Sequence, residues 1–281
     1  MGTERQGLLP PEAAGASDPV RGQFRALFRG VAQKCDLPPF PRVAARALAL
    51  AQDPKARTDD VARVVAADPA LAARVLRISN SVVYIKHDPP RTVRDAIVTV
   101  GFNTLRTILV AASARSMYRA DEPTAERLWS HALATALAAD ELRDPREPAG
   151  GTNFIAGLLH DVGKLVFHVT DPARFARLGY ADEERERELF GVTHPVVGGV
   201  LADMWNVPHG VADAIMEHHI RPACRLTGRI AMADWIAHTI GFGSVAEDIP
   251  PPETIEESTV DLAAVSSKVA QAFAAERAFF D

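Results

Sequence analysis

Apolar residues recur every three to four positions along most of the chain, a spacing that places them on one face of an α-helix. Val61, Val64 and Val65 form one such stripe, and Leu105 and Ile108 belong to another. No two strand-like runs are joined by residues typical of a β-hairpin, and the sequence has no glycine-rich phosphate-binding loop. The pattern therefore predicts an all-α protein.

Capping residues and prolines predict where individual helices begin. Asp68-Pro69 combines a capping carboxylate with proline in the first helical position, and Thr193-His194-Pro195 has the same character. Gly101 separates two apolar stripes, which predicts a break between them. The pattern also predicts a long helix over Thr124–Leu142 and a final amphipathic helix over Val260–Phe280.

Composition and charge narrow the class of protein. The 281 residues are 47% hydrophobic and 24% charged, which suits a globular protein with one large core or two small ones. A net charge of −5 disfavours a general nucleic-acid binder. Arg21, Arg25 and Arg29 lie about one helical turn apart and leave DNA binding through a local patch as a weaker alternative.

Cysteine content and hydropathy bear on the cellular location. Cys35 and Cys224 are too few for a disulfide framework, and neither belongs to a CxxC zinc motif. The N-terminus lacks the apolar core of a signal peptide, and no apolar run is long enough to span a bilayer. These features predict a cytoplasmic protein without a membrane partner, and the alanine- and arginine-rich composition favours a bacterial source.

The candidate chemistry centres on a histidine and an aspartate, His160-Asp161, within the apolar run Asn153–Phe167. Burying either polar group without a partner would cost several kcal/mol or force a charged group neutral. A divalent metal is a suitable partner, since it binds imidazole and carboxylate together. The alternative is a hydrogen-bonded histidine beside an exposed aspartate, because an isolated His-Asp pair is a weak motif.

Five further polar residues lie in similar apolar, helix-like surroundings and are candidate metal ligands. They are His131, His194, His218, His219 and Asp234. His131 could instead be a buried histidine bonded to a carbonyl, and His194 could face solvent at a helix start. His218 and His219 would also suit the negative end of a helix dipole.

Lys164 and Glu188 are weaker candidates. Lys164 is either a contact for a substrate phosphate or, as we favour, a surface lysine whose chain covers apolar residues. Glu188 could reach a second metal. The remaining histidines are assigned to the surface or to local packing, and they are His87, His168, His209 and His238.

The spacing of the candidates suggests how they would share a metal. Adjacent residues of a helix point about 100° apart, so His160 and Asp161 would flank an ion beside their helix, or Asp161 would bridge two ions. His218 and His219 repeat this arrangement. One helix supplies too few ligands for a two-metal site, so the others would come from other helices. Such a metal pair polarises a phosphoryl oxygen and lowers the pKa of bound water.

The order of these residues resembles the HD superfamily of metal-dependent phosphohydrolases. The chain as a whole resembles the HDOD family, the HD-related output domains of bacterial signalling proteins. The motifs that carry the resemblance are Leu37-Pro38-Pro39-Phe40-Pro41, Asp68-Pro69-Ala70-Leu71, Leu76-Arg77-Ile78-Ser79-Asn80-Ser81, Ala96-Ile97 with Gly101, Gly157-Leu158-Leu159-His160-Asp161-Val162-Gly163-Lys164-Leu165, and Glu217-His218-His219.

This resemblance implies an all-helical fold in which an N-terminal helical lobe packs on an HD-like lobe. Residues 1–20 would be a disordered tail, residues 21–120 the N-terminal lobe and residues 121–245 the HD-like lobe, with the lobes meeting near residues 115–130. Residues 246–281 would form a linker and a C-terminal helix. The resemblance also implies divalent ions, iron, manganese or another metal, at one or two positions in the candidate site.

Two functions stay open at this point. Many HDOD proteins act in regulation without demonstrated enzyme activity, and many have lost metal-ligand positions. This chain keeps every position that matches the related HD-GYP cyclic-di-GMP phosphodiesterases, but their downstream polar motif is missing after Gly163-Lys164 and there is no Gly-Tyr-Pro tripeptide. We therefore favour a regulatory protein that holds a metal and binds a signalling protein or a nucleotide second messenger. The alternative is a metal-dependent phosphohydrolase or cyclic-dinucleotide phosphodiesterase, for which Lys164 is the one weak catalytic candidate.

Overall fold

The computed structural model describes residues 30, 42–53, 55–80, 89–115, 117–118, 122–147, 151–178, 183–205, 207, 209–219, 225–243 and 261–280. These residues contain helices and no β-strand, which confirms the predicted all-α fold. The helices are α1 (Arg42–Gln52), α2 (Thr58–Ala66), α3 (Pro69–Ser79), α4 (Val93–Arg115), α5 (Pro123–Glu141), α6 (Thr152–Leu159), α7 (Val162–Thr170), α8 (Pro172–Ala176), α9 (Glu183–Phe190), α10 (His194–Met204), α11 (His209–Glu217), α12 (Arg225–Ala237), a π-helical turn (His238–Phe242) and α13 (Leu262–Phe280).

Helix starts and breaks follow the signals in the sequence. The Asp68 carboxylate accepts hydrogen bonds from the backbone N–H groups of Ala70 and Leu71 at 3.0 and 3.1 Å, so it caps α3 as predicted. Gly101 has φ 76°, which interrupts the helical geometry inside α4. This conformation favours glycine because a Cβ atom makes positive φ costly.

Buried apolar side chains form one continuous core from Ala47 in α1 to Phe273 in α13. Helices α1, α2 and α3 pack on α4, whereas α5 packs on α6, α12 and α13, and α10 packs on α7 and α11. Contacts of α4 with α6 and of α13 with α3 join these two sets of helices. The domain boundaries given above stay a prediction. In the described part of the chain, no helix combines the length and apolar character needed to cross a membrane.

His160 and Asp161 lie in a turn between α6 and α7, so the prediction of one continuous helix through this pair is wrong. Asp161 leaves helical geometry, with φ −100° and ψ 13°, and its carbonyl accepts the backbone N–H of Lys164 at 2.9 Å. Adjacent side chains of an unbroken helix would diverge by about 100°. Because the helix breaks here, both side chains face the interior.

Gly163 allows the start of α7 to lie directly against the start of α10. A Cβ atom at Gly163 would be 2.1 Å from the carbonyl oxygen of His194 and 2.8 Å from its Cα. Only a residue without a side chain permits this approach. The close packing brings His194 next to Asp161, two residues before Gly163.

Several predicted features lie outside the described residues. They are the tail at residues 1–20, Arg21, Arg25 and Arg29, both cysteines, the motif Leu37–Pro41, Ser81, His87 and the linker near residues 247–254.

Gly163→Ala is expected to destabilise the protein by about 1–3 kcal/mol or more, because the added methyl group meets backbone rather than a movable side chain. Gly210→Ala in α11 is the matched control, since a Cβ atom there meets nothing within 4 Å. That change should leave stability unchanged or raise it by up to about 1 kcal/mol. Thermal unfolding of both variants tests the packing, and equal melting temperatures would contradict it.

Candidate metal centre

The seven predicted ligands lie together around one largely buried centre, although α5, α10, α12 and two helix-terminal turns supply them. They form a first group, His131, His160 and Asp234, and a second group, Asp161, His194, His218 and His219. Within each group, one ligand atom from every residue lies within 4.8 Å of the others.

The carboxylate of Asp161 lies between the two groups, with one oxygen directed to each. Its Oδ2 is 3.3 Å from Nε2 of His131 and 3.5 Å from Nε2 of His160. Its Oδ1 is 3.1 Å from Nε2 of His194 and 3.6 Å from Nε2 of His218. Each group is therefore within reach of one oxygen of Asp161, and whether this carboxylate would bridge two ions or flank one stays a prediction.

Asp234 and His219 complete the two groups. Oδ1 of Asp234 is 3.1 Å from Nε2 of His131 and 3.6 Å from Nε2 of His160. Nε2 of His219 is 3.1 Å from Nε2 of His194, although His219 itself is an exposed residue at the rim. The side chain of Asp234 is 13% exposed, and the five remaining candidate ligands are buried.

Two of the histidines are held in the same way, by the end of the helix that precedes them. His160 follows α6 and donates from Nδ1 to the carbonyl of Gly157 at 2.7 Å, and His218 follows α11 and donates from Nδ1 to the carbonyl of Ile215 at 2.7 Å. The last carbonyls of a helix have no partner within it. The imidazole N–H therefore satisfies a helix end and is fixed by it.

The other two buried histidines are anchored by distant residues. Nδ1 of His131 donates to the carbonyl of Phe242 at 2.9 Å, and Nδ1 of His194 lies 2.8 Å from the buried carboxylate of Glu186. The backbone N–H of His194 donates to the same carboxylate at 2.7 Å. All four Nδ1 atoms thus face acceptors, which leaves Nε2 of each ring directed at the centre. Metal-binding histidines are typically oriented in this way.

The centre is suited to cations. Nε2 of His131 is 3.2 Å from Nε2 of His160, and Nε2 of His194 is 3.3 Å from that of His218. With Nδ1 protonated, a neutral ring directs its Nε2 lone pair into the centre, so each facing pair needs positive charge between its two nitrogens. A proton supplies it at His131 in the metal-free protein, and a divalent ion would supply it in place of that proton. Ligand atoms about 2.1 Å from an ion are about 3.0 Å apart at right angles and about 3.4 Å apart at tetrahedral angles. The observed spacings match these values.

Unsatisfied carboxylate oxygens also fit a metal. Oδ1 of Asp161 and Oδ1 of Asp234 are buried and have no well-directed hydrogen-bond donor among the described residues. Buried polar atoms are normally paired, because an unpaired one costs the free energy of its desolvation. Divalent ions in the two groups would satisfy both oxygens, so the residues present fit the metals that the sequence predicts.

Opposite charges shift the protonation of these groups. Burial opposes ionisation of Asp161, but Lys164 and the imidazoles of His160 and His194 hold the pKa of its carboxyl well below the usual range. Burial also lowers the pKa of the His131 imidazole, but its contacts with Asp161 and Asp234 outweigh burial and raise the pKa to about 9. Burial lowers the pKa of His218 to about 4, and it lowers that of His219 as well.

Lys164 is buried, so the favoured prediction of a surface lysine is wrong. Its side chain is 7% exposed, and Nζ lies 2.6 Å from Oδ2 of Asp161. A buried ammonium group needs a counter-charge, and Asp161 supplies it. The polar partner of Lys164 lies only three residues away, in a turn that the helical periodicity did not reveal.

The sequence pointed to Glu188, but the buried carboxylate belongs to Glu186. Glu188 is exposed and pairs with Arg185 at 2.7 Å. The glutamates of α9 alternate with arginines, so composition alone does not distinguish them. Phe190 is buried on the same helix, and its spacing of four residues from Glu186 is the one signal that favours Glu186.

His238 and Phe242 were not predicted to belong to the site. Nε2 of His238 is 3.5 Å from Oδ1 of Asp234, and its ring lies edge-on to that of His131 at 4.9 Å. Its spacing of four residues from Asp234 puts both on one helix face, a signal available in the sequence. Phe242 acts through its backbone carbonyl, for which residue type gives no signal.

The chain is similar to known proteins in sequence and in fold. The profile of the HDOD domain family matches residues 37–221, about two thirds of the chain. A curated relative, an uncharacterized protein from Treponema pallidum (strain Nichols), is 24% identical over 213 residues, or 72% of this chain. The chain spans 42% of the length of that relative.

Two solved structures are similar over most of the chain. A protein from Shewanella amazonensis SB2B, provisionally assigned as a phosphohydrolase, is 25% identical with a TM-score of 0.70, covering 90% of this chain and 98% of that one. An HDOD domain protein of unknown function from Geobacter sulfurreducens is 24% identical with a TM-score of 0.68, covering 90% of each chain. Both likenesses support the all-helical fold.

Metal uptake by the first group is expected to strengthen with pH. The pKa of His131 is about 9 in the metal-free protein, so at pH 7 its imidazole carries a proton that an ion must displace. The affinity for Mn²⁺ should therefore rise by up to about tenfold per pH unit from pH 7 to about pH 9, then level off. Calorimetric titration in buffers of different ionisation enthalpy measures the released proton. An affinity unchanged across this range would contradict the assignment.

Proposed function

Because this chain belongs to the HDOD domain family, we propose that it is a regulatory signalling protein whose HD-like site holds two divalent ions. One observation carries the proposal. Four imidazoles are fixed through Nδ1 and direct Nε2 toward the two oxygens of Asp161. The protein acts through a binding partner, either a signalling protein or a nucleotide second messenger.

The residues present define what each ion would meet. The first group offers two imidazoles and the Asp234 carboxylate, and the second offers three imidazoles. Asp161 could offer one carboxylate oxygen to each group. Bound divalent ions would supply polarisation of a phosphoryl oxygen and activation of water. Imidazole with carboxylate suits iron, manganese or zinc better than calcium or magnesium, which prefer oxygen ligands.

Access to the centre supports regulation over turnover of a large substrate. Of the seven ligands, only Asp234 and His219 are more than 4% exposed. A cyclic dinucleotide requires side chains that position its phosphodiester as well as activated water, because correct orientation supplies much of the rate enhancement. The polar motif that follows Gly163-Lys164 in HD-GYP enzymes is absent, since Leu165-Val166-Phe167 stands there and is buried.

A metal-dependent phosphohydrolase is the second candidate function. Lys164 favours it, because a buried ammonium group beside Asp161 could pair with a substrate phosphate once ions neutralise that carboxylate. The similarity to the Shewanella protein points in the same direction. Such an enzyme would act on a compact phosphate ester that reaches the centre past His219 and Asp234.

Protein purified without chelators is expected to contain about two equivalents of divalent metal and to leave cyclic-di-GMP uncleaved. Asp161→Ala should lose most of this metal. It should also melt at a lower temperature, because Lys164 loses its buried counter-charge and because an ion bound only by the folded state no longer adds to its stability. Arg185→Ala removes an exposed arginine from α9 and serves as the control. Metal analysis, thermal unfolding and a nucleotide turnover panel measure these effects.

Two results would change the proposal. Rapid cleavage of cyclic-di-GMP by the wild type, abolished in Asp161→Ala, would replace the regulatory function by an enzymatic one. A wild-type protein that stays metal-free when supplied with iron, manganese or zinc would remove the metal centre from the account.

A further inference from the structure

The C-terminal helix α13 lies outside the region that the family profile matches, yet it packs beside the first metal group. The match ends at residue 221, whereas α13 covers Leu262–Phe280. Val265, Val269 and Phe273 are buried, and the helix packs on α5, which carries His131. Lys268 adds an exposed ion pair with Glu141 of α5 at 3.0 Å.

A short chain of contacts connects α13 to a candidate ligand. The ring of Phe273 lies against that of Phe242 in a tilted arrangement, with centroids 4.0 Å apart and an interplanar angle of 34°. The carbonyl of Phe242 accepts the Nδ1 hydrogen bond of His131 at 2.9 Å. One side chain of α13 therefore supports the residue that orients His131.

Phe242 belongs to the π-helical turn His238–Phe242. Such turns are rare and are often found at functional sites. Gly241 within it has φ 91°, a left-handed conformation that favours glycine. The same turn carries His238, which lies 3.5 Å from Oδ1 of Asp234. The turn thus touches two of the three ligands of the first group.

We propose that α13 is a positioning element of the first metal group, with Phe273 holding the Phe242 carbonyl in the place that orients His131. The predicted effect of α13 on metal affinity rests on the metal centre proposed above, whereas its predicted effect on the orientation of His131 does not depend on bound metal. Partners that bind or displace α13 would change metal affinity, and metal would in turn tighten α13, because coupling between two binding events is reciprocal.

Substitution of Phe273 tests this inference, with Co²⁺ as the probe. Phe273→Leu keeps the helix apolar but removes the ring that lies against Phe242, and Phe273→Ala removes more of the contact. Loss of a residue that orients a metal-bound histidine typically weakens metal affinity about 10–100-fold. Phe273 acts one contact further out, through the Phe242 carbonyl, so we expect a loss of up to about tenfold for one Co²⁺ equivalent and little change for the other. The variant His131→Ala identifies which equivalent belongs to the first group.

Two controls separate positioning from general loss of stability. Lys268→Ala removes the exposed ion pair of the same helix, and Val61→Ala opens a cavity in α2, far along the chain from the turn. Neither should change Co²⁺ affinity at the first group. Phe273→Tyr keeps the ring and should retain wild-type affinity.

A second measurement does not require metal. In the metal-free wild type, the Nδ1 proton of His131 should exchange slowly with solvent, because the Phe242 carbonyl holds it, and Phe273→Leu should speed this exchange at least about tenfold. Unchanged exchange and unchanged Co²⁺ affinity in Phe273→Leu and Phe273→Ala would overturn the inference. If the wild type binds no Co²⁺, the proposed metal centre fails, and the exchange rate alone then decides whether α13 positions His131.

Discussion

The buried carboxylate of Asp161 is the constraint on which the arrangement of the helices around it depends. A charged group in the interior must meet opposite charge and hydrogen-bond donors, because removal of one partner of a buried pair typically costs about 3–5 kcal/mol. Lys164 approaches Oδ2 at 2.6 Å, and imidazoles from separate helices approach both oxygens. If the helices that carry these groups moved apart, this charge would be exposed to solvent or left buried without a partner.

The support continues outward from Asp161. Backbone carbonyls of Gly157, Ile215 and Phe242 and the carboxylate of Glu186 fix the far side of four imidazoles. Carbonyl groups at the helix ends thereby gain the hydrogen-bond donors that they lack within the helix, and each imidazole ring is held in one orientation. Metal ions entering such a centre would require little rearrangement of these side chains.

The sequence predicted the helices and the residues that converge at the candidate site better than it predicted their surroundings. Periodicity and caps located α3 and α5 because those signals are local, and the order of histidines and aspartates identified the seven residues that the fold brings together. The break at His160-Asp161, the burial of Lys164 and the choice of Glu186 over Glu188 depend on contacts between distant helices. Phe242 acts through its backbone carbonyl, which every residue type has, so its role could not be predicted from the sequence.

Crystals of protein prepared without chelators, measured at the absorption edge of the metal found in them, would test the metal centre most directly. The account predicts two anomalous peaks about 3.5–4 Å apart, one on each side of the Asp161 carboxylate. The first should lie among His131, His160 and Asp234, and the second among His194, His218 and His219. The account would be contradicted by an anomalous map that has no peaks at these positions even after the crystals are soaked in metal. The Asp161 carboxylate would then be held by Lys164 without an ion.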